Sequence, residues 1–272
     1  LNPDVIRNWV LGKKYIKLQR YNLYMVIDND FSGSSEYYGS LGFNQKSHDK
    51  KVNFYKRILT KYKVKSVLDL GCGNGLYLFP LKMAKFDIEG LDISKKMLSE
   101  LRKKSKSIKL YLQDMSKFRI NKKYDSIICL NSSLVLLPNF NLIEKTIKKC
   151  SEHLNENGIL LLDLPNHKKE IKEANFEQTS GTSKIHGGRI DTIYRDYKEG
   201  NKWVTDWFGF VKKGKNFFQF REHYEELIYS PKKLEKSLKK NGFKIIKIYG
   251  TRQGGNFDSN NSFRRFYLCQ KI

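Results

Sequence analysis

Three glycines and two aspartates form the stretch whose residue types and spacing best predict chemistry. Gly71, Gly73 and Gly75 follow the apolar run V-K-S-V-L-D-L, and Asp69 lies just inside that run. Asp92 comes 21 positions after Gly71, at the end of a second apolar run. Glycines let a backbone approach a ligand closely, because a Cβ atom would collide with it. A carboxylate at the tip of the second strand is placed to accept hydrogen bonds from a ribose diol.

Asp69 distinguishes between two kinds of nucleotide site. A carboxylate in a strand that is buried on both faces needs a partner, because an unpaired buried charge is costly. A pyrophosphate would repel it, whereas a ligand with an ammonium and a sulfonium group would be attracted. S-adenosylmethionine (SAM) has both positive groups, a ribose and no phosphate. The alternative is a sheet core whose glycines only make a tight turn, but that alternative leaves Asp69 and Asp92 unexplained.

The two motifs match a known family. V-L-D-L-G-C-G-N-G, residues 67–75, resembles motif I of the class I SAM-dependent methyltransferases, and G-L-D-I-S, residues 90–94, resembles their ribose-binding strand end. The resemblance implies an α/β fold with a Rossmann-like, seven-stranded, mostly parallel sheet, one antiparallel edge strand and flanking helices. It also implies that SAM is the cofactor.

The resemblance further implies a set of cofactor-binding residues at the carboxyl edge of this sheet. The exit of the third strand resembles the family's adenine-binding corner, and the end of the fourth strand would face the methionine part of the cofactor. The predicted set is Asp69, Gly71, Cys72, Gly73, Asn74, Gly75, Asp92, Ile93, Met97, Gln113, Asp114, Met115, Leu130 and Asn131. Core packing is an equal alternative for Met97.

Hydrophobic periodicity predicts helices and strands in the rest of the chain. Residues 47–62 form an amphipathic helix, Ser94 caps the next helix, and N-E-N-G at 155–158 ends a later one. Residues 168–229 give three period-2 runs joined by short turns, which predict an antiparallel meander.

The family resemblance implies that the aromatic-rich segment over residues 1–45 is a lid and that residues 46–167 and 230–272 form the SAM-binding core. An antiparallel β insertion over 168–229 would cover the acceptor site. This arrangement resembles the small-molecule methyltransferases that have a β insertion before the last helix, and in that subgroup the insertion roofs the acceptor site.

Candidate catalytic and acceptor-binding residues come from these covering segments. His167 follows the fifth strand and could take a proton near neutral pH. Alternation places Arg221 and His223 on one face of a strand and Tyr224 on the other, and Trp203 and Trp207 would form an aromatic wall. The catalytic candidates are His167, Tyr38 and His223, and the acceptor-binding candidates are Tyr37, Trp207 and Arg221. Packing or surface pairing is the alternative for each of them.

Composition argues against several classes of protein. The 272 residues are 39% hydrophobic, which suffices for one substantial core. No run of about 18 apolar residues appears, and the amino terminus is no signal peptide, so no membrane association is expected. The four cysteines are too few and too scattered for a disulfide framework or a zinc site, which predicts a cytoplasmic protein without a metal. Because the chain does not begin with Met, we expect that it was processed, trimmed or cut from a longer protein.

The net charge of +24 raises the question of a polyanionic partner. Only 11 of the 52 basic residues are arginine, and the lysines are dispersed over every predicted helix. A solvated lysine-rich surface and a nucleic-acid face both remain open. We expect methyl transfer to the nitrogen or oxygen of a small molecule by a monomer or homodimer. The alternatives are an RNA methyltransferase acting on tRNA, rRNA or an mRNA cap, and a noncatalytic SAM-binding subunit.

Overall fold

The structure is a computed structural model that describes residues 27–28, 31, 34–38, 44–173 and 179–272. The predicted lid over residues 1–45 therefore lies mostly outside the described residues. Within the described part, no helix is both long enough and apolar enough to cross a bilayer.

The described residues form twelve strands, six α-helices and one 3₁₀ helix. The strands are β1 (Ile27–Asp28), β2 (Ser66–Leu70), β3 (Asp87–Asp92), β4 (Leu110–Leu112), β5 (Tyr124–Cys129), β6 (Leu154–Pro165), β7 (Thr179–Ile185), β8 (Gly188–Glu199), β9 (Lys202–Lys213), β10 (Asn216–Leu227), β11 (Phe243–Tyr249) and β12 (Arg264–Lys271). The helices are α1 (Gln45–Lys61), α2 (Leu78–Met83), α3 (Lys95–Lys104), the 3₁₀ helix Ser133–Leu136, α4 (Phe140–His153), α5 (His167–Glu173) and α6 (Pro231–Lys240).

Seven strands form the larger sheet in the order β11-β12-β6-β5-β2-β3-β4. Neighbours from β6 to β4 are parallel, whereas β12 runs antiparallel to both β6 and β11. The predicted Rossmann-like, mostly parallel sheet is confirmed. The predicted edge position of the antiparallel strand is wrong, because the final hairpin-like pair inserts β12 between β6 and β11.

The central strands of this sheet are buried along their whole length. Val67, Leu68 and Leu70 on β2 and Ile127 and Ile128 on β5 are fully inaccessible. Such continuous apolar runs are typical of parallel strands that are covered on both faces. The chain proceeds from β2 to β3 on one side and returns to β5 on the other. The carboxyl ends of β2 and β5 therefore flank a topological switch point, where open α/β sheets bind ligands.

Local capping decides where two helices begin and end. The Ser94 side chain accepts a hydrogen bond from the Met97 N–H at 3.2 Å, which confirms the predicted cap of α3. The predicted N-E-N-G cap of α4 is wrong, because α4 ends at His153 and β6 begins at Leu154. The His153 ring replaces that cap, since its Nδ1 hydrogen-bonds to the Lys149 carbonyl oxygen at 2.8 Å.

The second sheet has the order β1-β10-β9-β8-β7, in which β7 to β10 are antiparallel. The predicted meander is present with one additional strand, β7. Its sequence, T-S-G-T-S-K-I, has almost no apolar alternation, so periodicity could not reveal it. A small cluster of buried side chains forms the core of this sheet: Ile190, Trp207, Val211 and Phe220.

We expect Gly209→Ala to destabilise the protein by about 1–3 kcal/mol, as overpacking of a core does. A Cβ atom at Gly209 on β9 would lie 2.1 Å from the Phe220 ring on β10. The matched control is Gly181→Ala on β7, where the nearest atom to the new Cβ is the Thr192 hydroxyl at 3.6 Å. Urea unfolding followed by tryptophan fluorescence measures both variants. Equal unfolding midpoints for the two variants would contradict the packing described here.

Candidate active site

The glycine loop leaves β2 in a conformation that only glycine adopts without strain. Gly71, Gly73 and Gly75 have φ values of +69°, +53° and +84°. A Cβ atom on Gly71 would lie 2.6 Å from the Ser133 Cβ, and one on Gly75 would lie 2.3 Å from a Leu101 methyl carbon. At Gly73 the nearest atom, the Met97 sulfur, is 4.0 Å away. Gly73 is therefore the position at which a ligand can approach the backbone.

Asp92 holds this loop in place. The Gly73 N–H donates to one carboxylate oxygen of Asp92 at 2.7 Å, and the Ser94 N–H donates to the other at 2.8 Å. The carboxylate thereby joins the end of β3 to the glycine loop and to the start of α3. Both oxygens keep further lone pairs, so they can also accept hydrogen bonds from a ligand.

Asp69 is the most unusual group at this edge. It is 3% exposed and lines the cavity, and among the described residues no hydrogen bond or salt bridge engages its carboxylate. Burial, followed by the negative charge of Asp92, raises the pKa of Asp69 well above its ordinary value. A carboxylate held in this way favours a cation in the adjoining space.

These groups open into a cavity of about 920 Å³ between the larger sheet and β10. Its described lining includes four carboxylic acids, Asp69, Asp92, Asp114 and Glu226, and no lysine, arginine or histidine. A chain with a net charge of +24 thus surrounds a cavity that is lined with acidic groups.

The predicted adenine-binding corner lies on the wall beside β4. Gln113, Asp114 and Met115 all line the cavity. One oxygen of Asp114 accepts hydrogen bonds from the N–H and the hydroxyl of Ser116, each at 2.8 Å. The Gln113 side-chain oxygen accepts from the Arg119 N–H at 2.9 Å, so this amide mainly shapes the following loop.

Tyr38 reaches the cavity from the segment before α1. The Asn131 side-chain amide donates to its hydroxyl at 3.1 Å. Burial raises the pKa of Tyr38 to about 12, so the phenol stays protonated at neutral pH. A protonated phenol in this position can donate a hydrogen bond to a ligand, and the catalytic role of Tyr38 stays a prediction.

Three aromatic rings line the acceptor-facing part of the cavity, and we call them the aromatic wall: Phe31, Tyr38 and Tyr224. The Phe31 ring centre lies 5.4 Å from that of Tyr38 and 5.2 Å from that of Tyr224. The sequence prediction instead assigned an aromatic wall to Trp203 and Trp207. Trp207 packs in the core of the smaller sheet and does not line this cavity.

Alternation along β10 explains why other predicted residues do not line the cavity. Arg221 and His223 share the face that binds Asp206, at 3.2 Å and 3.0 Å. The opposite face presents Tyr224 and Glu226 to the cavity. The sequence correctly separated these two faces, but the candidates were taken from the wrong one.

Tyr37, His167 and Gly75 also stand outside the cavity lining. Tyr37 stacks on Phe220 with ring centres 6.5 Å apart. His167 lies behind the wall, where its Nε2 is 3.2 Å from a Glu226 carboxylate oxygen. The remaining predicted cofactor residues do line the cavity: Asp69, Gly71, Cys72, Gly73, Asn74, Asp92, Ile93, Met97, Gln113, Asp114, Met115, Leu130 and Asn131.

Sequence reasoning missed a buried ion-pair network beneath this edge. Asp163 on β6 is fully buried and accepts hydrogen bonds from Arg264, at 2.9 Å, and from Arg252. Burial alone would raise the pKa of Asp163, but the two guanidinium groups hold it below its ordinary value. Its other partner is the Asn131 N–H, at 3.0 Å, so the network supports the residue that contacts Tyr38. The signal was present, since Asp163 interrupts the apolar run G-I-L-L-L-D-L-P.

Comparison with known proteins agrees with this geometry. A family described as "Methyltransferase domain" matches residues 67–158, which span the glycine loop and the ends of β3, β4 and β5. YqeM of Bacillus subtilis is 27% identical over 188 residues, which are 67% of this chain and 74% of YqeM.

The chain contains a SAM-dependent methyltransferase domain.

Solved structures of methyltransferases share the fold. DesVI of Streptomyces venezuelae superposes with a TM-score of 0.75 at 18% identity, covering 88% of this chain and 97% of DesVI. A SAM-dependent methyltransferase of Clostridium acetobutylicum gives a TM-score of 0.72 at 23% identity, covering 82% and 92% of the two chains.

The cofactor of this methyltransferase is SAM. The residues that line the cavity fit SAM, because the unpartnered carboxylate of Asp69 suits a cationic ligand and Gly73 leaves room for a close approach. When bound, SAM supplies a methyl group that its sulfonium has already activated.

We expect Asp69→Asn to raise the melting temperature of the cofactor-free protein at pH 7 and to weaken SAM binding at least tenfold. The folded chain holds the Asp69 proton more tightly than the unfolded chain does. The wild type therefore loses stability as pH rises above the ordinary carboxyl value of 3.8, and the variant does not. Thermal melts between pH 4 and 8 and calorimetric titration with SAM measure the two effects.

The control for this experiment is Asp87→Asn, at the exposed first residue of β3. Its melting temperature and SAM affinity should stay close to those of the wild type. A SAM affinity unchanged in Asp69→Asn, or a stability difference that does not vary with pH, would contradict the role of Asp69.

Proposed function

We propose that this enzyme transfers the methyl group of SAM to the nitrogen of a small, positively charged amine. The observation that carries the proposal is the lining of the cavity, which combines four carboxylic acids and the aromatic wall with no basic side chain among the described residues. Carboxylates and aromatic faces both attract ammonium groups. A phosphate group would find no basic side chain among the described residues of these walls.

The carboxylates divide between the cofactor and the acceptor in this proposal. Asp92 accepts hydrogen bonds from the ribose hydroxyls, and Asp114 accepts one from the adenine amino group. Asp69 stabilises the positive charge of the methionine part. At a separation of 4 Å such a charge pair is worth about 4 kcal/mol at an effective dielectric constant of 20. Glu226 faces the space beyond, next to the aromatic wall.

Relatives that act on amines support the choice of nitrogen. A Streptomyces venezuelae enzyme named dTDP-3-amino-3,4,6-trideoxy-alpha-D-glucopyranose N,N-dimethyltransferase is 29% identical over 98 residues, which are 36% of this chain and 41% of that enzyme. A glycine/sarcosine N-methyltransferase of Halorhodospira halochloris is 31% identical over 121 residues, 42% of this chain and 45% of that enzyme. The alignments span under half of these enzymes, so we carry over only the chemical class of the acceptor, an amine.

Methyl transfer requires little covalent chemistry from the protein. The chain must hold the acceptor nitrogen in line with the methyl carbon and exclude water from the site. Tyr38 and Tyr224 enclose the acceptor side, and residues of the 3₁₀ helix Ser133–Leu136 line the cavity together with Leu137 and Pro138.

RNA is the alternative acceptor, since the charge of +24 is suited to a polyanion. The described cavity lining, however, has no basic residue. A nucleotide whose phosphates had to enter the cavity would meet four acidic groups. The composition of the cavity therefore favours the small amine.

To test this proposal, the purified protein is incubated with methyl-labelled SAM and with pairs of acceptors, each pair being an amine and its hydroxyl counterpart. The amines are D-glucosamine, glycine and benzylamine. Total RNA is a further sample. We expect label in at least one free amine and none in its hydroxyl counterpart. Each product is identified by mass spectrometry.

Two results would overturn this proposal. Label that enters RNA in a salt-sensitive manner, with all amines unlabelled, would favour the RNA methyltransferase. Saturable SAM binding without label in any sample, including a metabolite extract, would favour the noncatalytic subunit.

A further inference from the structure

One carboxylate of the cavity is not accounted for by the cofactor. Glu226 lies on β10, on the wall opposite the glycine loop, and its side chain is 13% exposed. It lines the cavity together with Tyr38 and Tyr224, and Tyr224 lies two residues before it on the same face of β10. Glu226 is therefore the acidic group at the acceptor end of the cavity.

Glu226 is held from behind by His167. The Nε2 of His167 lies 3.2 Å from a Glu226 carboxylate oxygen, and His167 itself is buried. His167 is the first residue of α5 and follows the end of β6 by two positions. The imidazole thus joins the end of the larger sheet to β10, and it fixes the direction in which the Glu226 carboxylate points.

A second acid, Glu170, completes the cluster. Its carboxylate oxygen is 4.0 Å from the His167 Nε2, and the facing atoms of His167, Glu170 and Glu226 all lie within 4.8 Å of one another. Burial, followed by the charge of Glu226, raises the pKa of Glu170 to about 7. Glu170 therefore holds a proton for much of the time at neutral pH, so it adds little negative charge beside Glu226.

An amine acceptor needs a proton acceptor in this position. At neutral pH a primary amine is mostly an ammonium ion, which has no lone pair with which to attack the methyl carbon. Tyr38 cannot take the proton efficiently, because its pKa of about 12 keeps it in the phenol form. No histidine is present among the described residues that line the cavity.

We propose that Glu226 is the catalytic base that removes the proton from the ammonium group of the acceptor, and that His167 positions it. This inference rests on the proposed function, since it assumes an amine acceptor.

The atoms and charges of the step balance as follows. The ammonium proton passes to a Glu226 oxygen, which leaves the neutral amine with its lone pair. The nitrogen forms a bond to the methyl carbon while the carbon–sulfur bond breaks, and that electron pair stays on sulfur. The methylated nitrogen carries the positive charge, and Glu226 returns its proton to solvent through the open cavity.

Glu226→Gln is the first test. It keeps the size of the side chain but cannot accept the proton. We expect kcat on the best amine of the panel above to fall by about 10²–10³-fold at pH 7, with the SAM affinity within about twofold of the wild type. The loss should shrink as pH rises, because the fraction of free amine grows about tenfold per pH unit until it approaches the amine's own pKa.

The matched control is Glu225→Gln. Glu225 is the adjacent residue on the opposite face of β10, where it forms a salt bridge with Lys202. It lines a smaller neighbouring pocket with Tyr224 and does not line the cofactor cavity. Its kcat and pH profile should equal those of the wild type. Glu226→Asp should recover part of the lost rate, because it restores a carboxylate at a slightly greater distance.

His167→Gln tests the positioning role. We expect about a tenfold fall in kcat with little change in the KM for SAM and with an altered pH profile. The titratable and charged groups around the cluster determine that profile: Glu170, Asp196, Tyr38, Tyr224, Tyr229 and Arg264. A thermal melt of each variant establishes that it is folded, and Glu226→Gln remains decisive if His167→Gln does not fold.

Three results would overturn the inference while leaving the proposed function intact. The first is that Glu226→Gln methylates an amine at more than a third of the wild-type rate. The second is that its loss of kcat has the same size at every pH. The third is that EDTA abolishes the wild-type activity and Mn²⁺ restores it. The last result would mean that the three side chains bind a divalent cation. If no amine is methylated by the wild type, the proposed function itself fails, so the two failures are distinguishable.

Discussion

The site depends on one group whose charge is unfavourable in the folded, cofactor-free protein, the buried carboxylate of Asp69. The residue lies in the most buried strand of the sheet, next to Asp92, and its charge has no compensating partner among the described residues. Because a cationic ligand relieves this cost, the same group makes the cofactor-free protein less stable and the SAM-bound protein more stable. The glycine loop, the Asp92 hydrogen bonds and the adenine-binding corner surround this charge and determine which cation fits.

Asp163 shows what the same residue type does when it is paired. Both aspartates interrupt apolar parallel strands, yet Asp163 has two arginines and a backbone N–H as partners, whereas Asp69 faces open space. The first is a structural ion-pair network that fixes Asn131 and the end of β5. The second is a binding group. The comparison gives a physical criterion for a buried acid in a parallel sheet, namely whether the fold supplies the cation or leaves it to a ligand.

The sequence was most informative where function depends on neighbours along the chain. The β2 strand, the glycine loop, β3 and the cap at Ser94 all lie within 29 residues, from Ser66 to Ser94, so local spacing predicted the glycine loop, the position of Asp92 and the cap of α3. The acceptor end could not be predicted in this way. Alternation separates Tyr224 and Glu226 from Arg221 and His223, but only the packing of the smaller sheet against the larger decides which face is internal. Glu226 was missed for this reason, and His167 was selected without the carboxylate that explains its position.

The contrast between the basic surface and the acidic cavity also bears on turnover. Methyl transfer removes the positive charge from sulfur, whereas the ammonium group of the methionine part stays on the spent cofactor. In the proposed function, Asp69 therefore attracts the reacting cofactor more strongly than the spent one, which favours release of the spent cofactor after each cycle. The dispersed lysines outside contribute solubility and a positive field that opposes the approach of further cations. Under the proposed function, close contacts at the aromatic wall and Glu226 rather than long-range attraction therefore bind the acceptor, and that small region determines specificity.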